Sequence, residues 1–403
     1  MEDTDGESSK INYQIDVIMK IVYVIDSLAN KGGAERVIIN KMEYMVKHFG
    51  YDISIITCYQ DENTANAYPI SSDIRQIYLG VPFYSQYKHR YPYRLWVKHS
   101  IDQQMKTSLT KTIQSIDPDI LIGVSYFQAD VVTGIKCRAK KIIEVHEPRP
   151  FTLSDYGLSR GKLSSWYMKH YRNRYFRKVE DQADIVVTLT PGDAHEWKRA
   201  KQVQVIPNFT IMPIEKLSDG KNKRVIAVGR LEWVKGYDRL LSTWKIVTEK
   251  HPDWHLDIFG NGTLVNELKK QQSELWLNEN LTIHPATPNI NVEYSNSSIY
   301  VGTSHFEGFP LVLLEAMQVG LPCIAFDCPF GPSAVIDNNN NGFLVPDGDI
   351  EQLASKISLL IEDVELRKRF SMAALEKSTL FSVDKVMQQW KMLFDNLLTD
   401  HLI

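Results

Sequence analysis

Two carboxylates bracket an uncharged run in "HFEGFPLVLLEAM" (305–317), where seven residues without charge separate Glu307 from Glu315. Pro310 suits the first turn of a helix, because the amide proton it lacks would find no partner there, and "PLVLLEAM" continues with strong helix formers. The spacing therefore predicts Glu307 in a loop and Glu315 inside a helix, on the order of 10 Å apart at 1.5 Å rise per residue. Between them the helix amino terminus offers free amides and a positive dipole end, a setting that favours an anion. Two acids so placed suit the hydroxyls at the two ends of a nucleotide sugar, with the backbone between them holding its phosphates. A solvated loop acid and a surface helix acid are the plainer alternative. Against that, Glu315 shares a helix face with Leu311 in an apolar segment that should be buried, and a buried carboxylate needs partners.

Acids beside a diphosphate would repel it unless fixed cations offset them. "VGRLEWVKG" supplies Arg230 and Lys235 after a strand, one able to chelate phosphate oxygens in a fork and the other a mobile point charge. An exposed basic turn is the bland reading of both. Gly260 and Gly262, in "FGNG", end another strand, where a missing side chain would let a base or phosphate approach the backbone.

Strands and helices alternate in two series. "KIVYVID" (20–26), "GGAERVIINKMEYMVKHF" (32–49) and "DISIIT" (52–57) form a βαβ unit, followed by strand-like runs at 119–125, 140–146, 184–190 and 203–208. A polar stretch at 209–223 precedes a second series at 224–231, 255–262, 281–286, 298–304, 322–327 and 342–349. The expected fold is α/β: two doubly wound Rossmann-like domains, 20–208 and 224–381, facing each other across a cleft. Open sheets of this kind bind ligands at the carboxyl ends of their strands, so the cleft is the expected site. Residues 1–19 read as a disordered tail, and a helix within 382–403 is expected to fold back onto the first domain. A chain of 403 residues supports two such domains, and a hydrophobic share of 43% with 24% charged residues is that of a folded soluble protein. The formal charge of −3 gives no global reason to expect nucleic acid. Cys58, Cys137, Cys323 and Cys328 lack metal or disulfide spacing and read as reduced thiols. No run approaches the ~20 apolar residues of a membrane span, and the polar start lacks a secretory h-region, so a cytoplasmic location is expected.

These motifs, in order, resemble the retaining GT-B glycosyltransferases of glycosyltransferase family 4: "KGGAER", "VHEP", "VIPN", "VGRLEWVKGYDRLL", "IFGNG", "SHFEGFPLVLLEAMQVGLPCIAFDCPFGPS" and "NGFLVPDGD". The resemblance covers nearly the whole chain from Lys20. It implies that Glu315 binds ribose hydroxyls, that Glu307 faces the donor sugar, and that Arg230 and Lys235 hold the diphosphate with the amides of Phe309, Leu311 and Val312. Gly32 and Gly33 would close on the phosphates, Asn208 and Gly308 would line the site, and His146 would sit beside the transferred sugar. Transfer would retain the anomeric configuration, the departing phosphate oxygen taking the acceptor proton, so no separate base is needed. The "FDCPFGPS" loop points to a UDP-linked hexose or N-acetylhexosamine. One departure is Ala334, which stands where many relatives carry an acid after "GPS".

"DPD" (117–119) and "DGD" (347–349) have the D-x-D spacing of a divalent-cation site, but each lies at a Pro or Gly turn, so no metal and no other cofactor is expected. The run 159–178 holds seven Lys and Arg, no acid and several aromatics. The stretch 87–99 mixes basic and aromatic residues in the same way. A solvated face explains either; an anionic membrane surface presenting a lipid-linked saccharide, as in bacterial surface-polysaccharide assembly, explains both. Among rivals, a glycoside hydrolase needs its acids ~5–9.5 Å apart and has no use for a diphosphate clamp. An epimerase needs an acid and base that cannot be placed here. A non-catalytic scaffold binding nucleotide or glycan is the remaining alternative.

Overall fold

The computed structural model describes residues 18–29, 32–90, 92–124, 129–150 and 162–399, with side chains of the last segment described from 169 onward. The first sheet comprises β1 (Lys20–Ile25), β2 (Asp52–Thr57), β3 (Arg75–Tyr78), β4 (Ile120–Gly123), β5 (Lys140–Glu144), β6 (Ile185–Thr188) and β7 (Val203–Val205). Their spatial order is β3-β2-β1-β4-β5-β6-β7, with every pairing parallel. The second sheet holds β8 (Arg224–Val228), β9 (His255–Phe259), β10 (Leu281–His284), β11 (Ile299–Gly302), β12 (Cys323–Phe326) and β13 (Gly342–Val345), in the order β10-β9-β8-β11-β12-β13, again all parallel. Runs such as "ILIG" and "CIAF" are buried throughout because helices cover both sheet faces, which rewards continuous apolar sequence over alternation.

Strand order reverses between β1 and β4 in one sheet and between β8 and β11 in the other. At such switch points the neighbouring connections leave in opposite directions and open a crevice at the carboxyl ends. β1 leads into the Gly33–Tyr44 helix, β8 into the Gly229–Lys235 loop, and β11 into the loop that carries Glu307. The expected two-sheet architecture is present, with local differences. The helix expected over 32–49 runs from Gly33 to Tyr44 and then widens into a π-turn, Met45–Phe49, closed by Gly50 at φ 68°. Several expected strands end early, at Gly123, Val205 and Phe259. β3 and the long Tyr93–Ile116 helix are additions to the sequence reading.

The Val383–Thr399 helix packs on the first sheet: Val386, Trp390, Leu393 and Phe394 share one buried cluster with Tyr23, Ile53 and Ile142. Tyr44 donates a 2.6 Å hydrogen bond to Asp384, and the Lys41 ammonium lies 4.0 Å from the Trp390 ring centre. The chain thus begins its second domain at β8 and returns to finish on the first. Residues 1–17 lie outside the described residues. Because Trp390 is buried at that return, Trp390→Ala should cost about 3–5 kcal/mol, read as an earlier urea transition of the first domain.

Candidate functional site

Lys235 ends a short turn after β8, and its ammonium makes a 2.6 Å ion pair with Glu307 Oε1, both side chains being largely buried. Ser304 Oγ donates to the same oxygen at 2.6 Å. Three further contacts lock the two loops together. The His305 amide donates to the Val234 carbonyl at 2.8 Å, Thr303 Oγ1 donates to the Lys235 carbonyl at 3.1 Å, and the Trp233 and His305 rings stack at 4.2 Å. Burial and the nearby Arg239 push the His305 imidazole below its ordinary value, so the stack carries little charge. Arg230 is different: it is exposed and makes no ion pair among the described residues.

Gly260 and Gly262 serve this loop from behind. A Cβ at Gly260 would overlap the Gly229 carbonyl and one at Gly262 would overlap the backbone of Leu231. What the glycines admit here is the chain's own backbone, the loop that carries Arg230, where the sequence suggested a base or phosphate.

Glu315 lies in the Leu311–Gln318 helix and is 3% exposed. Its partners come from other parts of the chain: Arg36 Nη2 donates at 2.5 Å and Thr210 Oγ1 at 3.4 Å, both to Oε1, while Tyr294 donates to Oε2 at 3.4 Å. Arg36 stands in the first turns of the Gly33–Tyr44 helix, so this pair ties the two domains. Gly32 caps that helix and Gly33 opens it, close enough to the second domain that a Cβ on Gly33 would come within 3.1 Å of Leu311. Two helix amino termini therefore converge on one gap. Of the three amides expected to face an anion, that of Leu311 donates to the Phe309 carbonyl, while those of Phe309 and Val312 have no partner among the described residues. Asn208 is buried two residues before Thr210 and makes no hydrogen bond to these groups.

Gly308 brings the first domain in from the other side, because a Cβ there would collide with the His146 carbonyl oxygen. His146 follows β5, and its loop is pinned at Arg149. That guanidinium holds Glu180 through two hydrogen bonds of 2.6 and 3.2 Å between the rings of Phe176 and Trp197, and the Arg149 amide donates to Asp193 at 2.8 Å. Burial raises the Asp193 carboxyl to about 6, although the Arg149 amide and the Trp197 indole both donate to it.

The remaining candidates have other duties. Asp117 and Asp119 both pair with Arg138, Asp347 pairs with Arg239, and Asp349 caps the Ile350–Glu362 helix. Among the described residues no group of three His, Cys, Asp or Glu is placed to hold a metal, and no helix is long and apolar enough to cross a membrane. Ala334 closes a short turn, Pro332–Ala334, beside the buried core.

Sequence reasoning missed Arg36, Thr210 and Tyr294. Arg36 had a local signal, a cation one turn after two glycines; Thr210 meets Glu315 at the chain's crossing between domains, and Tyr294 reaches it from the Ile290–Ser295 helix of the same domain.

Residues 31–210 match the model of Glycosyltransferase Family 4, and residues 209–377 match that of Glycosyl transferases group 1. The chain belongs to the GT-B glycosyltransferases of family 4 type. An uncharacterized glycosyltransferase of Haemophilus influenzae is 29% identical over 92% of this chain and 99% of its own length. The amylovoran biosynthesis glycosyltransferase AmsD of Erwinia amylovora is 33% identical over 52% of this chain, which spans 61% of that protein. Among solved structures, Anabaena HepE in complex with UDP and glucose matches with a TM-score of 0.70 at 18% identity, over 94% of this chain and 100% of that one.

Gly308→Ala sets a Cβ against the His146 backbone carbonyl, so it should lower the melting temperature and reduce sugar-nucleotide turnover on the order of 100-fold, since an ångström of misplacement costs about that much. Asp193 binds its proton more tightly folded than unfolded, so its contribution to stability declines as pH rises from about 4 to about 6. Asp193→Asn keeps an acceptor for the Arg149 amide and removes that decline. Thermal melts across pH 4–8 should show a gain at pH 7 on the order of 2–3 kcal/mol for the variant.

Proposed function

We propose that this glycosyltransferase moves a hexose or N-acetylhexosamine, with retention, from a UDP-sugar to a saccharide acceptor used in cell-surface polysaccharide synthesis. The observation that carries the reading is the convergence of Lys235, Glu307 and two helix amino termini on one crevice. Without a ligand, Lys235 and Glu307 neutralise each other. A diphosphate gives Lys235 a second anion and lies where the amides of Phe309 and Val312 are unpaired, so cation, dipoles and amides act on the charge that grows as the phosphate leaves. Glu307 then turns to the donor sugar and Arg230 reaches the phosphates from the open side. Glu315 takes the ribose hydroxyls as Arg36, two-fifths exposed, swings from it toward the diphosphate.

In the transfer, the bond from the anomeric carbon to the phosphate oxygen breaks and the acceptor oxygen bonds to that carbon on the same face. The acceptor proton passes to the departing phosphate oxygen, and UDP is released. His146 stands beside the sugar. The D-x-D acids are engaged with arginines or a helix cap, which favours transfer without a divalent cation. AmsD is described as acting in amylovoran biosynthesis and the HepE structure holds UDP and glucose; both support the donor and acceptor classes proposed.

A lipid-linked acceptor and a peripheral position on the inner face of the cell membrane are part of the proposal. Tyr84, Tyr87, Tyr93, Leu95 and Trp96 are all more than half exposed, beside Lys88, Arg90 and Arg94. Lys169, Arg174 and Arg177 line the exposed face of a second helix, Lys162–Gln182. Trp166, the other anchor suggested by sequence, lies outside the described side chains. A soluble saccharide acceptor would give no reason for that many bare aromatics.

Product masses from a panel of nucleotide sugars and saccharide acceptors test the reading. Transfer from a UDP-sugar that persists in EDTA supports it; nucleotide binding without turnover, or water as sole acceptor, contradicts it. Lys235→Ala should lower kcat about 100- to 1,000-fold. Vesicles of anionic lipid should sediment the protein at low salt, and Tyr93→Ser with Trp96→Ser should abolish that while leaving turnover of a soluble acceptor intact.

A further inference from the structure

Behind His146 runs a buried line of charge that the transfer itself does not use. Lys41, on the Gly33–Tyr44 helix, is 1% exposed; its ammonium meets Glu144 Oε2 and lies near the rings of Tyr23 and Trp390. Glu144, the last residue of β5, is 2% exposed, and its Oε1 is 3.0 Å from His146 Nε2. That separation is within reach of a hydrogen bond, though the ring is not yet aligned for one, as is common before substrate is bound. The second ring nitrogen, Nδ1, is buried and has no partner in the protein among the described residues.

Stability gives little reason for such a pair. Burying both charges costs several kcal/mol per ion, and apolar side chains of similar volume often do as well or better in its place. Burial alone would raise the Glu144 carboxyl, but Lys41 and then His146 outweigh it and hold it at about 2, so a carboxylate faces the imidazole at any working pH. A carboxylate or carbonyl on one ring nitrogen is how proteins fix the tautomer and orientation of a working histidine.

We propose that Glu144, paired with Lys41, is a positioning residue for His146: it holds Nε2–H toward itself and so fixes the tautomer and orientation of the ring beside the transferred sugar. This rests on the reading of His146 as a sugar-facing residue. The pair Lys41→Met with Glu144→Gln removes both charges without stranding either, so the variant should fold. If it does not, Glu144→Asp, which keeps the charge pair but shortens the carboxylate's reach toward His146, is used for the same measurements.

Two-bond 1H–15N spectra of the full chain labelled with 15N-histidine, with the His146 signal assigned by its loss in His146→Gln, should show neutral imidazole protonated at Nε2 at pH 7.5. In the double variant the signal should move toward a mixture of tautomers. There kcat should fall roughly 10- to 100-fold with KM and UDP affinity within about twofold. A doubly protonated ring, a tautomer unchanged in the variant, or an unchanged kcat overturns the proposal. If instead the tautomer shifts but His146→Gln itself leaves kcat intact, the sugar-facing role of His146 fails while its pairing with Glu144 stands.

Discussion

The close approach of the two domains at backbone level governs the rest of the molecule. The His146 carbonyl lies where a Cβ on Gly308 would be, Leu311 meets the first turn of the Gly33–Tyr44 helix, and Arg36 reaches across to Glu315. Each contact joins the carboxyl end of one sheet to that of the other. Because both sheets reverse order there, the seam is also where two helix dipoles point their positive ends inward. Such an enclosure, partly shielded from water, strengthens any electrostatic contact made inside it. Lys235 and Glu307 occupy it as a neutral pair, which spares the protein an isolated buried charge until an anion arrives.

The architecture has a consequence for how the domains are held. The last helix, Val383–Thr399, belongs to the core of the first domain although the second domain lies between them in sequence. The chain therefore crosses twice, once near Thr210 and once before Val383. Thr210 itself donates to Glu315, so one crossing touches the site directly. A change in domain angle must pass through residues that also grip the proposed ligand, which ties closure to binding.

Much of this was legible in the sequence, for physical reasons that can be named. Parallel sheets buried on both faces write themselves as apolar runs, and "KIVYVI" or "CIAF" need no context. Glu315 announced itself as a carboxylate on an apolar helix face. Its partner did not, because Arg36 is 279 residues away and only the fold brings it near. Lys41 offered a similar clue that went unread: it falls on the buried stripe of Val37, Ile38 and Met42, where a lysine must have a partner. Gly260 and Gly262 read in the sequence as places where a base or phosphate approaches the backbone; in the fold the backbone of Gly229 and Leu231 lies against them. β3 was missed because "RQIY" is a short, half-exposed edge. The Tyr93–Ile116 helix was missed because its buried positions Ile101, Met105, Leu109 and Ile113 follow two turns of bare basic and aromatic residues that read as surface.

The central claim is that the crevice holds a diphosphate through Lys235, with the helix amino termini on either side. Calorimetric titration of UDP and of uridine into the native protein and Lys235→Ala tests it most directly. The account predicts that native protein binds UDP at least about 30-fold more tightly than uridine, and that the substitution removes most of that difference while leaving uridine binding unchanged. Equal UDP affinity in the two proteins would contradict it.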